Sequence, residues 1–141
     1  MSDTETVRAW VGRYVSAWES NEPEEISALF TDDAEYYPEP FRQPWRGHRE
    51  IVENWLARMD EPGDASFAGQ PLSITDEVAV IQGKTVYADR TYSNLWVIRL
   101  DASGRAREFT EWYMDHTLNS APEPALPAAN TERDESAAAS A

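Results

Sequence analysis

The stretch TYSNLWVIRLDASGRAREFTEWYMD, residues 91–115, reads as two β-strands folded back on each other. Tyr92 to Leu100 and Ala106 to Asp115 are rich in β-branched and aromatic side chains, and Asp101-Ala102-Ser103-Gly104 between them is turn chemistry. Two more segments of the same character precede it, Ala65 to Ile74 and Val78 to Ala88, punctuated by Thr75-Asp76-Glu77 and by Asp89-Arg90-Thr91. Four strands in succession, joined by short turns, predict an antiparallel meander whose side chains alternate between two faces.

The first half of the chain has a different period. Val7, Trp10, Val11, Tyr14, Val15 and Trp18 recur every three or four residues, which predicts an amphipathic helix from Glu5 to Ser20, with Ser2 and Glu5 placed as a capping box. Asn21-Glu22-Pro23-Glu24 breaks and restarts the chain into a short second helix carrying Ile26, Leu29 and Phe30 and ending at Thr31-Asp32-Asp33. A strand is expected over Ala34 to Tyr37 and an irregular Pro-rich loop from Pro38 to Gly47. A third helix follows, showing Ile51, Val52, Trp55, Leu56 and Met59 on one side until Asp60-Glu61-Pro62-Gly63-Asp64 stops it. Helices first and a meander after is an α+β order. From Asn119 onward there are prolines, alanines and acids but no aromatic, so residues 119–141 are expected to form a disordered acidic tail after one domain over residues 1–118.

Composition narrows the function classes. With no cysteine there is no disulfide framework, thiolate metal site or cysteine nucleophile, and the two histidines, His48 and His116, form no ligand-spaced motif, so no metal is expected. Twelve basic against 26 acidic residues leave a formal charge of −14, which disfavours nucleic acid and anionic membrane as partners. No apolar run reaches the ~18 residues of a membrane span and the N-terminus lacks a signal peptide's pattern, so a cytoplasmic location is expected. Six scattered glycines build neither a phosphate loop nor a dinucleotide fingerprint. Cofactor-free proton transfer is the chemistry left.

Arg13-Tyr14-Val15-Ser16-Ala17-Trp18, Ala28-Leu29-Phe30-Thr31-Asp32-Asp33-Ala34, Trp45-Arg46-Gly47 and Glu108-Phe109-Thr110-Glu111-Trp112-Tyr113-Met114-Asp115 together resemble the nuclear transport factor 2-like, or SnoaL-like, superfamily over residues 5 to 116. The similarity is greatest to functionally unassigned bacterial members. It implies a cone-shaped curved antiparallel sheet with three N-terminal helices enclosing a pocket. Tyr14 falls where ketosteroid isomerases place an oxyanion-donating tyrosine. The position of their proton-shuttling aspartate holds Pro38, between Tyr37 and Glu39; that of their second oxyanion donor falls near Trp96; and Trp55 replaces a supporting tyrosine. These departures imply a chemistry other than steroid isomerisation.

The resemblance also sets the register. It implies that Phe109, Glu111, Tyr113 and Asp115 point inward on the last strand and Asn94, Trp96 and Ile98 on the one before, leaving Glu108, Thr110, Trp112 and Met114 outward. Glu111, Tyr14 and Asn94 are the candidate catalytic residues, and Trp18, Trp55, Trp96, Phe109 and Tyr113 the candidate pocket walls. A carboxylate among aromatic walls has its pKa raised by desolvation, which suits a general acid or base acting on an apolar small molecule. Such a lyase, isomerase, cyclase or hydrolase reaction needs no cofactor. The competing reading is a non-catalytic ligand-binding or dimerisation module, in which Glu111 is locked in an ion pair rather than bonded to Tyr14, Asn94 or water. An outward face carrying Leu95, Val97, Trp112 and Met114 is apolar enough to predict a homodimer through the sheet.

Overall fold

The computed structural model describes residues 3–61 and 63–116. Three helices, α1 (Thr4–Ser20), α2 (Pro23–Ala28) and α3 (Gly47–Ala57), alternate early with two strands, β1 (Phe30–Tyr37) and β2 (Trp45–Arg46). Four long strands complete the domain: β3 (Ala65–Ile74), β4 (Ala79–Tyr87), β5 (Thr91–Leu100) and β6 (Ala106–Asp115). All six of these strands form one curved, open sheet in the order β2-β1-β6-β5-β4-β3. The expected tail, 119–141, lies outside the described residues. Among those residues no helix is long and apolar enough to cross a membrane.

The β3 to β6 meander is antiparallel as its short turns require. The sheet is not antiparallel throughout, because β1 joins β6 in parallel. That pair is not a hairpin: α3 and four strands lie between its members, and such a long connection permits parallel pairing. β1 also begins four residues earlier than expected, at Phe30 rather than Ala34. An irregular register between Phe30 and Glu35 absorbs Thr31-Asp32-Asp33, so those residues turn within a strand instead of ending a helix. β2 occupies the end of the expected Pro-rich loop, setting Trp45 opposite Tyr36. Gly47, at φ +77°, carries the chain from β2 into α3 through a backbone conformation that side-chain-bearing residues rarely adopt.

Helix α1 starts at Asp3, whose carboxylate accepts the Thr6 amide at 2.8 Å, so the cap lies one residue beyond the Ser2 of the expected capping box. It ends at Asn21, left-handed at φ 54°. Its inward stripe is Val7, Trp10, Tyr14 and Ala17. Trp10 lies at the centre of the core, edge-on to Phe30 and Trp96 and tilted against Tyr14 and Phe109, and its indole N–H is satisfied by the Leu29 carbonyl at 2.9 Å. This aromatic block fills one end of the space between helices and sheet. The other end stays open.

Candidate active site

The open end is a cavity of about 290 Å³, close to the lower limit for small-molecule sites of roughly 300 Å³. Tyr14 and Trp18 enter it from α1, Trp55 from α3, and Asn94, Trp96, Glu111 and Tyr113 from β5 and β6. Seven of the eight candidate residues therefore share one lining. Phe109 does not. Fully buried, it stacks on Tyr14 with ring centroids 5.4 Å apart and supports the cavity from behind as core.

Among the described residues Glu111 is held by neutral donors alone. The Asn94 side-chain amide donates to one carboxylate oxygen at 2.8 Å and the Trp96 indole N–H to the other at 2.9 Å. Thr85 donates to the Asn94 amide oxygen at 2.7 Å, which turns the amide nitrogen toward Glu111. Pairing in the sheet produces this chain, since Trp96 stands opposite Glu111 and Thr85 and Asn94 occupy neighbouring inward positions on β4 and β5. Among the described residues no cation pairs with Glu111. Burial of its carboxylate pushes the pKa up to about 7, with the Asn94 and Trp96 hydrogen bonds opposing the shift.

The same lining carries a pair of tyrosine hydroxyls. Tyr14 and Tyr36 lie 2.7 Å apart, oxygen to oxygen, and either can donate to the other. Two hydroxyls joined by one hydrogen bond keep one proton for a third partner. Burial raises both phenol pKa values, more so with Tyr36 and Glu111 near Tyr14 and with Glu111 near Tyr36, so both remain protonated donors at neutral pH. The mouth is braced by Asp60, which accepts the Trp18 indole at 3.0 Å and the Tyr87 hydroxyl at 2.8 Å, and by Glu39, which accepts the Tyr113 hydroxyl at 2.8 Å.

Several of these residues escape a reading of the sequence. Tyr36 was legible in principle, because it alternates with the buried Ala34 on one face of β1. Trp45 and Arg58 also line the cavity; Trp45 lies in the two-residue β2, too short for a period to tell which way a side chain faces, and Arg58 and Asp60 sit in the connecting segment after α3. Asp60 reads as a helix stop, yet its carboxylate ties α1 to β4. His48 and His116 stay outside the lining, one against the Phe30 carbonyl at 2.9 Å and the other against Ser93 at 2.7 Å. Asp32 and Asp33 are exposed. Among the described residues no three His, Asp or Glu side chains converge as a metal site.

Comparison with known proteins places the fold. A provisionally assigned ketosteroid isomerase from Kribbella flavida DSM 17836 superposes with a TM-score of 0.65 at 18% identity, covering 96% of this chain and 93% of that one. An NTF-2 like protein of unknown function from Burkholderia xenovorans LB400 gives 0.64 at 13% identity, covering 86% and 88%. A protein from Sphaerobacter thermophilus gives 0.61 at 19% identity, covering 74% and 93%. At these identities the likeness is one of fold. No curated protein matches the chain. The SnoaL-like domain matches residues 11–120, from the first helix through the last strand, and the chain belongs to that family.

Proposed function

We propose that the cavity binds a small, largely apolar molecule and that Glu111 moves a proton on it, without a cofactor, in an isomerase-type reaction. The observation that carries this reading is the state of Glu111: a buried carboxylate held by two neutral donors, with no paired cation among the described residues, in one lining with the Tyr14–Tyr36 hydroxyl pair. A purely structural carboxylate in such a place would be expected to have a charged partner, since an unpaired buried charge is costly. With a pKa of about 7, Glu111 can release and retake a proton at neutral pH. The spare hydroxyl proton of the tyrosine pair supplies the hydrogen bond that a developing oxyanion, such as an enolate, requires. Trp96, backed by Phe67 stacked on it at 4.5 Å and 1°, and the other rings of the lining provide dry walls.

The test begins with thermal stabilisation of the full chain by a library of apolar carbonyl compounds, because a ligand that binds only the folded state raises the midpoint. Hits are then incubated in D₂O with wild type and with Glu111→Gln. Deuterium entering the ligand beside its carbonyl with wild type and not with the variant is the expected result. Hits that bind equally to both proteins and never exchange would make the protein a non-catalytic binding module.

We also propose that the outward sheet face pairs two copies of the chain. Trp112 is 46% and Met114 56% exposed there, on the face that also carries Leu95 and Val97. Sedimentation at micromolar concentration is expected to show a dimer, and Trp112→Glu a monomer; a monomeric wild type would end this proposal.

A further inference from the structure

The Glu111 reading leaves one polar member of the cavity unexplained. Among the described residues Arg58, the residue that ends α3, is the single cation in the lining. Its guanidinium lies over the Trp45 ring at 5.7 Å, and Trp45 is in turn stacked on Tyr36 at 4.6 Å and 10°. The ladder Arg58, Trp45, Tyr36 thus runs from solvent inward to the hydroxyl pair. Among the described residues no carboxylate pairs with Arg58, in a protein where acids outnumber bases by 26 to 12. Glu39, the rim carboxylate, is engaged elsewhere, with Arg42 at 3.6 Å and the Tyr113 hydroxyl at 2.8 Å. The charge of Arg58 is nevertheless felt inside, where it opposes the upward pKa shifts of Tyr36 and Tyr113.

We propose that Arg58 is the anchor for a carboxylate on the ligand, so that the molecule taken by the cavity is an apolar monocarboxylic acid bound with its acid group at the mouth and its apolar body against the aromatic walls. This rests on the pocket reading above and adds the ligand's class and orientation. Planar guanidinium matches planar carboxylate through paired N–H donors, and a ring beneath it holds the fork in place. A single cation suits a single negative charge. Phosphate would bring more charge than Arg58 alone balances, beside Glu111 in the same lining. Orientation follows from burial: Glu111 is packed into the sheet and Arg58 is exposed, so an anion is drawn to the rim and repelled from the inner end.

The experiment is calorimetric titration of the full chain, at low salt and pH 7.5, with two flat probes that differ only at the end group, 2-naphthoate and neutral 2-naphthamide. Wild type is expected to bind the acid about three- to tenfold more tightly, the range of a charge-assisted bond discounted for exposure. The preference should shrink at high salt, disappear in Arg58→Gln and survive in part in Arg58→Lys. Arg58 is exposed, so both variants should fold. Equal affinity for the two probes in wild type overturns the carboxylate assignment and leaves the pocket reading standing. A preference for the acid that persists in Arg58→Gln also overturns it. Binding of neither probe overturns both readings together.

Discussion

Strands β5 and β6 place three inward pairs side by side, Ile98 with Phe109, Trp96 with Glu111, and Asn94 with Tyr113, and they differ in kind. Ile98 and Phe109 are 1% and 0% exposed, Phe109 lies against the rings of Trp10 and Tyr14, and neither carries a polar atom beyond the backbone. One step along, Trp96 is equally buried, but its indole N–H is spent on a carboxylate. One step further, Asn94 and Tyr113 line open space. The ladder thus passes from sealed core to open cavity within five residues of one strand. Position on the sheet, not residue class, separates structure from chemistry here, and each pair should respond to mutation in its own way.

The largest expected effect is on Glu111. With a substrate identified by the screen above, Glu111→Gln should lower turnover by about 10²- to 10⁴-fold, the usual contribution of a general base. Stability should not follow. At pH 8 the variant is expected to melt at or above wild type, because it removes a buried charge. A variant that lost activity only by unfolding would place Glu111 with Phe109, as structure. Phe109→Ala should behave in the opposite sense, costing about 3–5 kcal/mol by urea denaturation through a cavity in the aromatic block. A cost below about 1 kcal/mol would mean the sealed end is looser than its packing indicates.

The middle pair also has a pH signature. The folded pKa of Glu111, about 7, stands above its ordinary 4.5, so between those values the folded protein holds a proton that the unfolded chain has released. Its contribution to stability is therefore fully present below pH 4.5, declines as pH rises through about 7, and is flat above. The whole span is at most about 3 kcal/mol. Other groups titrate in the same range, so the quantity to measure is the difference in unfolding free energy between wild type and Glu111→Gln from pH 4.5 to 8.5. It should move in the variant's favour as pH rises. No change across the window would mean that Glu111 is already ionised at low pH.

How far the sequence reaches follows from the same contrast. Period-two alternation locates β3 to β6 nearly to the residue, and the three- and four-residue spacing in Val7, Trp10 and Tyr14 locates α1, because each pattern is repeated over many residues. Which strand face looks inward came from the family resemblance, and it brings Glu111, Asn94 and Trp96 together. The parallel pairing of β1 with β6 leaves no local trace, since it joins segments some seventy residues apart. Phe109 and Glu111 have the same alternation and neighbours of the same kind. What seals one is the set of rings packed on Phe109, Trp10 and Tyr14 from α1 and Tyr36 from β1, whereas Glu111 lines the cavity. Arg58 and Asp60, in the segment after α3, depend on how that segment turns, which no period encodes.

The smallest expected effects belong to the tyrosine pair, and they sharpen the division between sealed and open ends. Tyr14 is buried against Phe109 on one side and lines the cavity on the other, with its hydroxyl 2.7 Å from that of Tyr36. Removing either hydroxyl forfeits one internal hydrogen bond, about 0.5–1.5 kcal/mol. It also frees the remaining hydroxyl's own proton for the ligand. Tyr14→Phe and Tyr36→Phe should therefore each reduce turnover only a few-fold, whereas the double variant, left with no donor at this point, should lose about 10²-fold. Measured turnover of the two single variants and the double separates the alternatives. A double loss far greater than the product of the singles means that the two hydroxyls substitute for one another as one donor. Strictly multiplicative losses would mean that one tyrosine contacts the ligand while the other belongs with Ile98 and Phe109, to the core.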